Sequence, residues 1–233
     1  MTTGEKLDSG IRVERTEIAG DGFHVPAVMH FPPQSAGVAL IIHGYGGCKE
    51  EQLGLAWRIA EEGVTTCAID LRGHGEHKLP LNQDVALDVA SAIRHCRSFG
   101  KVAAIGHSLG SRLALLSDAD FVIAISPPLG TTFSPPTMGL IKEMRGYRVR
   151  EEIGIFDLFK LLPLFKPEQR SSVAFLYGDR DVPEVKQGCG ELLSLGEDVV
   201  RIDKALHSDI FLLEPTFEAV SLRIGKWLRP YQP

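Results

Sequence analysis

The residues best suited to chemistry stand at Gly106-His107-Ser108-Leu109-Gly110, a G-x-S-x-G pattern. The apolar run Val102-Ala103-Ala104-Ile105 precedes it and a helical pattern starts at Leu109. A sharp turn from strand to helix projects the Ser108 hydroxyl at a sheet edge, and small flanking residues let the backbone pass closely. The helix N-terminus supplies free N–H groups and partial positive charge, which suits a developing oxyanion. A serine hydroxyl is a weak nucleophile near neutral pH and needs a base within hydrogen-bond reach. Eight histidines are available, at positions 24, 30, 43, 74, 77, 95, 107 and 207. Two carboxylates able to orient such a base, Asp179 and Asp181, follow the apolar run Val173 to Tyr177. The chemistry in prospect is acyl transfer by an activated serine.

Metal chemistry finds less support. His74 and His77 lack a cysteine or carboxylate partner at ligand spacing, and the four cysteines (Cys48, Cys67, Cys96, Cys189) are scattered with no CxxC pair. No metal and no cofactor is called for. That cysteine usage fits a reducing compartment.

Elements able to position these groups are legible in the periodicity. Arg12 to Ile18 and Phe23 to Phe31 read as strands joined at Asp21-Gly22, an N-terminal β-hairpin. Val38 to Ile42 is a continuous apolar run, as expected of a strand buried on both faces. Helix and strand then alternate: helix Lys49 to Glu62, strand Val64 to Ile69, helix Gln83 to Phe99, strand Lys101 to Ile105, helix Leu109 to Leu116, strand Phe121 to Ile125. After a long break come strand Val173 to Tyr177, helix Glu184 to Leu195, strand Val199 to Ile202 and helix Thr216 to Leu228. Such alternation implies an α/β fold, a mainly parallel sheet with helices on both faces. Residues 1–233 read as one domain.

The break, about 127–171, is too long for a plain crossover and is rich in Phe, Ile, Leu and Met. It reads as a small cap insertion, with Phe133, Met138, Ile155 and Phe159 as candidate substrate-binding residues. Asp70 and Arg72 read as a loop-stabilising pair, and Asp84 and Asp88, four apart on a helix, as a solvated face.

The 233-residue chain is 44% hydrophobic with net charge −5 and pI near 5.9. A chain of this length and apolar content buries a sizeable core, which excludes disorder as its main state. Without a basic stripe, neither nucleic acid nor an anionic membrane is an expected partner. Met1 to Asp8 is polar, and no window approaches the length of a membrane span. A cytoplasmic protein without stable membrane insertion is expected; no oligomeric state is implied.

Taken together, the motifs resemble the α/β-hydrolase superfamily over nearly the whole chain. The resemblance rests on His43-Gly44-Tyr45-Gly46-Gly47, Asp70-Leu71-Arg72-Gly73-His74-Gly75, the turn at Ser108, Gly178-Asp179-Arg180-Asp181-Val182-Pro183, and His207. The chain is similar to small serine esterases and the serine-aminopeptidase-like branch. The resemblance implies the chain order Ser, acid, His. Only His207 of the eight histidines follows Ser108, and family spacing favours Asp181 over Asp179. It also implies an oxyanion hole from the N–H groups of Leu109 and Tyr45. His43, which precedes the serine, reads as a brace for that loop. The implied activity is hydrolysis of a small-molecule carboxylic ester with a short to medium acyl chain. A thioesterase, an acyltransferase or a small peptidase shares the same triad. A non-catalytic hydrolase-fold binding protein is the rival from another class, although here all three members are present in order.

Overall fold

The computed structural model describes residues 10–167 and 172–228. Met1 to Asp8 and the last residues of the expected cap, 168–171, lie outside the described residues. Among the described residues, eight strands form one sheet: β1 (Arg12–Ala19), β2 (His24–Phe31), β3 (Val38–Ile42), β4 (Thr65–Ile69), β5 (Val102–His107), β6 (Phe121–Ile125), β7 (Val173–Arg180) and β8 (Asp198–Leu206). Their spatial order is β1-β2-β4-β3-β5-β6-β7-β8. The pairs β1–β2 and β2–β4 are antiparallel and all others parallel.

Helices α1 (Leu53–Glu61) and α7 (Glu214–Leu228) cover one face; α2 (Ala86–Cys96) and α3 (Leu109–Leu116) pack on the other. Side chains alternate across a strand, so the unbroken apolar run of β3 serves both cores. Val38, Leu40 and Ile42 join the α2 side, and Ala39 and Ile41 the α1 side. Each fully buried aliphatic side chain contributes about 1.5–3 kcal/mol. Gly63 ends α1 in a left-handed conformation, φ +74°, that a side chain rarely adopts.

Between β6 and β7 the chain forms α4 (Pro135–Arg145) and α5 (Ile155–Leu161); α6 (Pro183–Ser194) follows β7. Pro135 and Pro136 open α4, where a missing N–H costs nothing. Arg112 on α3 ties this excursion down: Nη1 donates to the carbonyls of Pro128 and Leu129 at 2.9 and 2.8 Å. A second tie runs from Leu81 N–H to the Arg150 carbonyl at 2.7 Å. Among the described residues, no helix is long and apolar enough to cross a membrane.

The register decides where chemistry gathers. Ile42 lies opposite both Ile69 and Gly106, and Ile125 opposite both His107 and Leu176. The carboxyl ends of β3 to β7 therefore fall in one row, the usual place for a site in a parallel sheet.

Candidate active site

Ser108 occupies the turn from β5 into α3 with φ +50° and ψ −113°, a conformation rarely open to a side-chain-bearing residue. Its N–H donates to the Ile125 carbonyl at 2.9 Å, which fixes the turn to β6. The two glycines of the motif are steric necessities. A Cβ at Gly106 would collide with the backbone of Gly110, and one at Gly110 would lie 2.6 Å from the His43 carbonyl oxygen.

His207, just beyond β8, faces this turn. Its Nε2 is 3.0 Å from Ser108 Oγ and its Nδ1 is 2.7 Å from Asp181 Oδ1. An ionised carboxylate only accepts, so Nδ1 carries the proton and the Nε2 lone pair is left to the serine. The pairing of β7 with β8 slips between Gly178 and Arg180. Such a slip re-aims the chain, and Asp181 follows directly. Burial alone would raise the Asp181 pKa. Hydrogen bonds from His207, Ser126 Oγ (2.5 Å) and Val182 N–H (2.8 Å) outweigh it and hold the carboxyl below its ordinary value. Asp179 makes no such approach; its Oδ1 is buried with no partner among the described residues.

Two contributors lie outside the sequence expectations. Ser126, also left-handed at φ +49°, follows β6 directly and donates to Asp181 Oδ2. His107 donates from Nε2 to the His207 carbonyl at 2.8 Å and packs its ring on Phe211. Burial, with His207 alongside, pushes the His107 pKa down to about 3, so its ring is neutral. The only sequence signal was position: one is inside the serine motif and the other ends a buried strand.

Leu109 opens α3, and Tyr45 sits in the loop after β3. Neither backbone N–H has a partner among the described residues. The two loops are close: a Cβ on Gly44 would stand 3.2 Å from Ser108 Cβ. His43 braces this loop as expected. Its Nε2 accepts from Leu71 N–H at 3.1 Å, so Nδ1 carries a proton and donates to the Gly44 carbonyl at 2.7 Å. Burial lowers its pKa and keeps it neutral.

The stretch after β4 corrects two expectations. Asp70 does not pair with Arg72. It accepts from Lys49 Nζ at 2.6 Å and from the Lys49 and Glu76 N–H groups at 2.8 and 2.9 Å. Arg72 turns instead to Asp88, with Nη2 2.8 Å from Oδ1. Asp88 is thus fully buried and no part of a solvated face, while Asp84 is exposed. The reason is helical phase: Asp88 lies three residues after Val85 and four before Ala92, both core residues.

A cavity of about 420 Å³ opens over Ser108 and His207. Phe133, Met138, Ile155 and Phe159 do not line it, which corrects the expected substrate-binding set. Ile155 and Phe159 are buried in the main core, Phe133 stacks against Phe156 and Phe159, and Met138 packs on the same cluster. The apolar cavity wall from this segment is supplied by Leu140, Ile141 and Met144 of α4, Ile141 also touching the main core, beside Tyr45, Val182, Leu206 and Phe211.

Known proteins align with this architecture. A sequence model described as the alpha/beta hydrolase family matches residues 39–213. A Haemophilus influenzae protein, provisionally described as an esterase/lipase, is 40% identical over 81 residues. That match spans 34% of this chain and only 28% of the relative's length. An esterase of Pyrobaculum calidifontis superposes with a TM-score of 0.62 at 22% identity, covering 92% of this chain and 84% of that one. An alpha-beta serine hydrolase homologue from Coxiella burnetii gives 0.63 at 18% identity, covering 92% and 97%. At these identities the structural likeness is one of fold.

Proposed function

The chain belongs to the alpha/beta hydrolase family, and we propose that it is a serine hydrolase cleaving carboxylic esters through an acyl-enzyme. The observation that carries this reading is the His207 ring, within hydrogen-bond reach of Ser108 on one side and Asp181 on the other. Ser108 Oγ attacks the ester carbonyl as His207 Nε2 takes its proton. Asp181 holds the ring by Nδ1–H and stabilises the imidazolium that forms. The N–H groups of Leu109 and Tyr45 receive the oxyanion. Collapse breaks the ester C–O bond, and His207 returns the proton to the departing alcohol. Water then attacks the acyl-enzyme by the same route, restoring Ser108 and releasing the acid.

The described part of the expected cap, residues 127–167, acts as a cap on a single domain, with α4 walling the acyl pocket. A cavity of about 420 Å³ is near the small end of the ~300–1,000 Å³ range of small-molecule sites. That supports short to medium acyl chains. The test is a fluorophosphonate probe with the Ser108→Ala variant, followed by p-nitrophenyl esters of rising chain length below their micellar limits. Labelling and turnover that both vanish in Ser108→Ala are expected, with a rate maximum at short to medium chains. Activity of Ser108→Ala within tenfold of wild type would overturn the serine mechanism. A rate still climbing with long chains would overturn the chain-length assignment.

A further inference from the structure

We propose that the mouth of the cavity selects esters bearing a second, ionised carboxylate, with Arg180 as its receptor; this rests on the esterase reading above. Among the described residues, four charged ones line the cavity: Glu51, Arg145, Arg180 and Asp181. Asp181 is committed to His207, Ser126 and the Val182 N–H. Glu51 is shared by two guanidiniums, Arg145 at 3.3 Å and Arg148 at 2.5 Å, which leaves a surplus positive charge. Arg180 is exposed and makes no side-chain hydrogen bond or ion pair among the described residues.

The acids nearest in sequence, Asp179 and Glu184, make no ion pair with it among the described residues. Glu184 accepts from Ser134 N–H at 2.7 Å and Thr137 Oγ at 2.9 Å, and Asp179 Oδ1 is buried without a partner. Among the charged side chains that line the cavity, Arg180 is therefore the one left without a partner, on a chain whose net charge is −5. The rest of the wall is mostly apolar, so a chain bound along α4 excludes water beside the guanidinium and strengthens its pairing. A guanidinium offers a planar fork of donors that matches a carboxylate in bidentate fashion. A half-ester of a short dicarboxylic acid satisfies both features, its alkyl chain against Leu140 and Met144 and its free carboxylate on Arg180.

The experiment compares p-nitrophenyl half-esters of glutaric and adipic acid with their neutral methyl-capped counterparts. Wild type should favour the half-esters in kcat/KM, and that preference should weaken with added salt. Arg180→Gln should lower the half-ester to capped-ester ratio on the order of tenfold, and Arg180→Lys should restore part of it. Binding of monomethyl glutarate to Ser108→Ala, read by calorimetry, tests the anion site without turnover and should weaken when Arg180→Gln is added. A wild-type ratio at or below one, or a loss shared equally by both esters, would overturn the proposal. Absent turnover and labelling with Arg180-dependent binding retained would instead overturn the esterase reading and leave the anion site standing.

Discussion

Asp181 has two carboxylate oxygens, and the molecule uses both. Oδ1 accepts from His207, and Oδ2 accepts from Ser126, a residue held in a left-handed conformation right after β6. A carboxylate fixed at both oxygens presents one orientation to the imidazole, so Ser126 is a positioning residue for the proposed relay. Ser126→Ala should cut kcat by about tenfold with KM little changed, because the lost interaction orients a base and touches no substrate. A drop in KM affinity with kcat intact would contradict this role; steady-state kinetics on one short ester decides. The main groups at this scale were legible because each announces itself locally. Ser108 sits in a motif whose glycines are sterically forced, and His207 is the only histidine after it. Ser126 was not legible, since a serine after a strand means nothing until β6 and β7 are neighbours. Phe133, Met138, Ile155 and Phe159 were misplaced because an apolar residue in this segment fits core and cavity equally well, and only the packing of α4 and α5 on the sheet separates the two.

Among the elements, the segment between β6 and β7 and the loop after β3 are latched together. Arg145 and Arg148 grip Glu51, Tyr45 Oη donates to Glu151 at 2.9 Å, and a Cβ on Gly46 would run into Arg145 at 2.5 Å. The loop carrying the proposed Tyr45 N–H donor is thus positioned partly by the end of α4. Surface ion pairs contribute only about 0.2–1 kcal/mol to stability, but here they set geometry. Arg148→Gln should lower Tm by no more than a few degrees while reducing kcat/KM by roughly threefold, and high salt should reproduce part of that loss in wild type. Equal kinetics for the two proteins across ionic strength would show the latch to be idle. Strands and helices flanking the cap agreed with periodicity to within a few residues, because repeated crossovers demand that pattern. The segment between β6 and β7 escaped such a reading: its path follows Arg112, Leu81 and Glu51, contacts distant in sequence.

At the scale of the whole molecule, neutral buried histidines contribute to the loss of stability in acid. Burial, with His43 alongside, pushes the His74 pKa down to about 3, and His107 is likewise pushed to about 3. Unfolded, each titrates near ~6.5. Above that pH neither state binds the proton, and stability is complete. As pH falls from about 6.5 toward 3, the unfolded chain takes up protons that the folded one refuses, so stability falls across that window. His74→Gln should remove about one proton from the slope, on the order of 1.4 kcal/mol per pH unit, in chemical denaturation at pH 4 to 7. An unchanged slope would place the protonation of His74 outside the folding equilibrium. Among the described residues, the sheet that hosts these groups is open, with β1 and β8 outermost. Open edges invite a second chain to add its own strand. Here β1 carries Arg12, Glu14, Arg15 and Glu17, and β8 carries Arg201, Asp203 and Lys204. Charges of both signs fringe each edge, a pattern that disfavours the addition of a further strand to the ladder that builds the site.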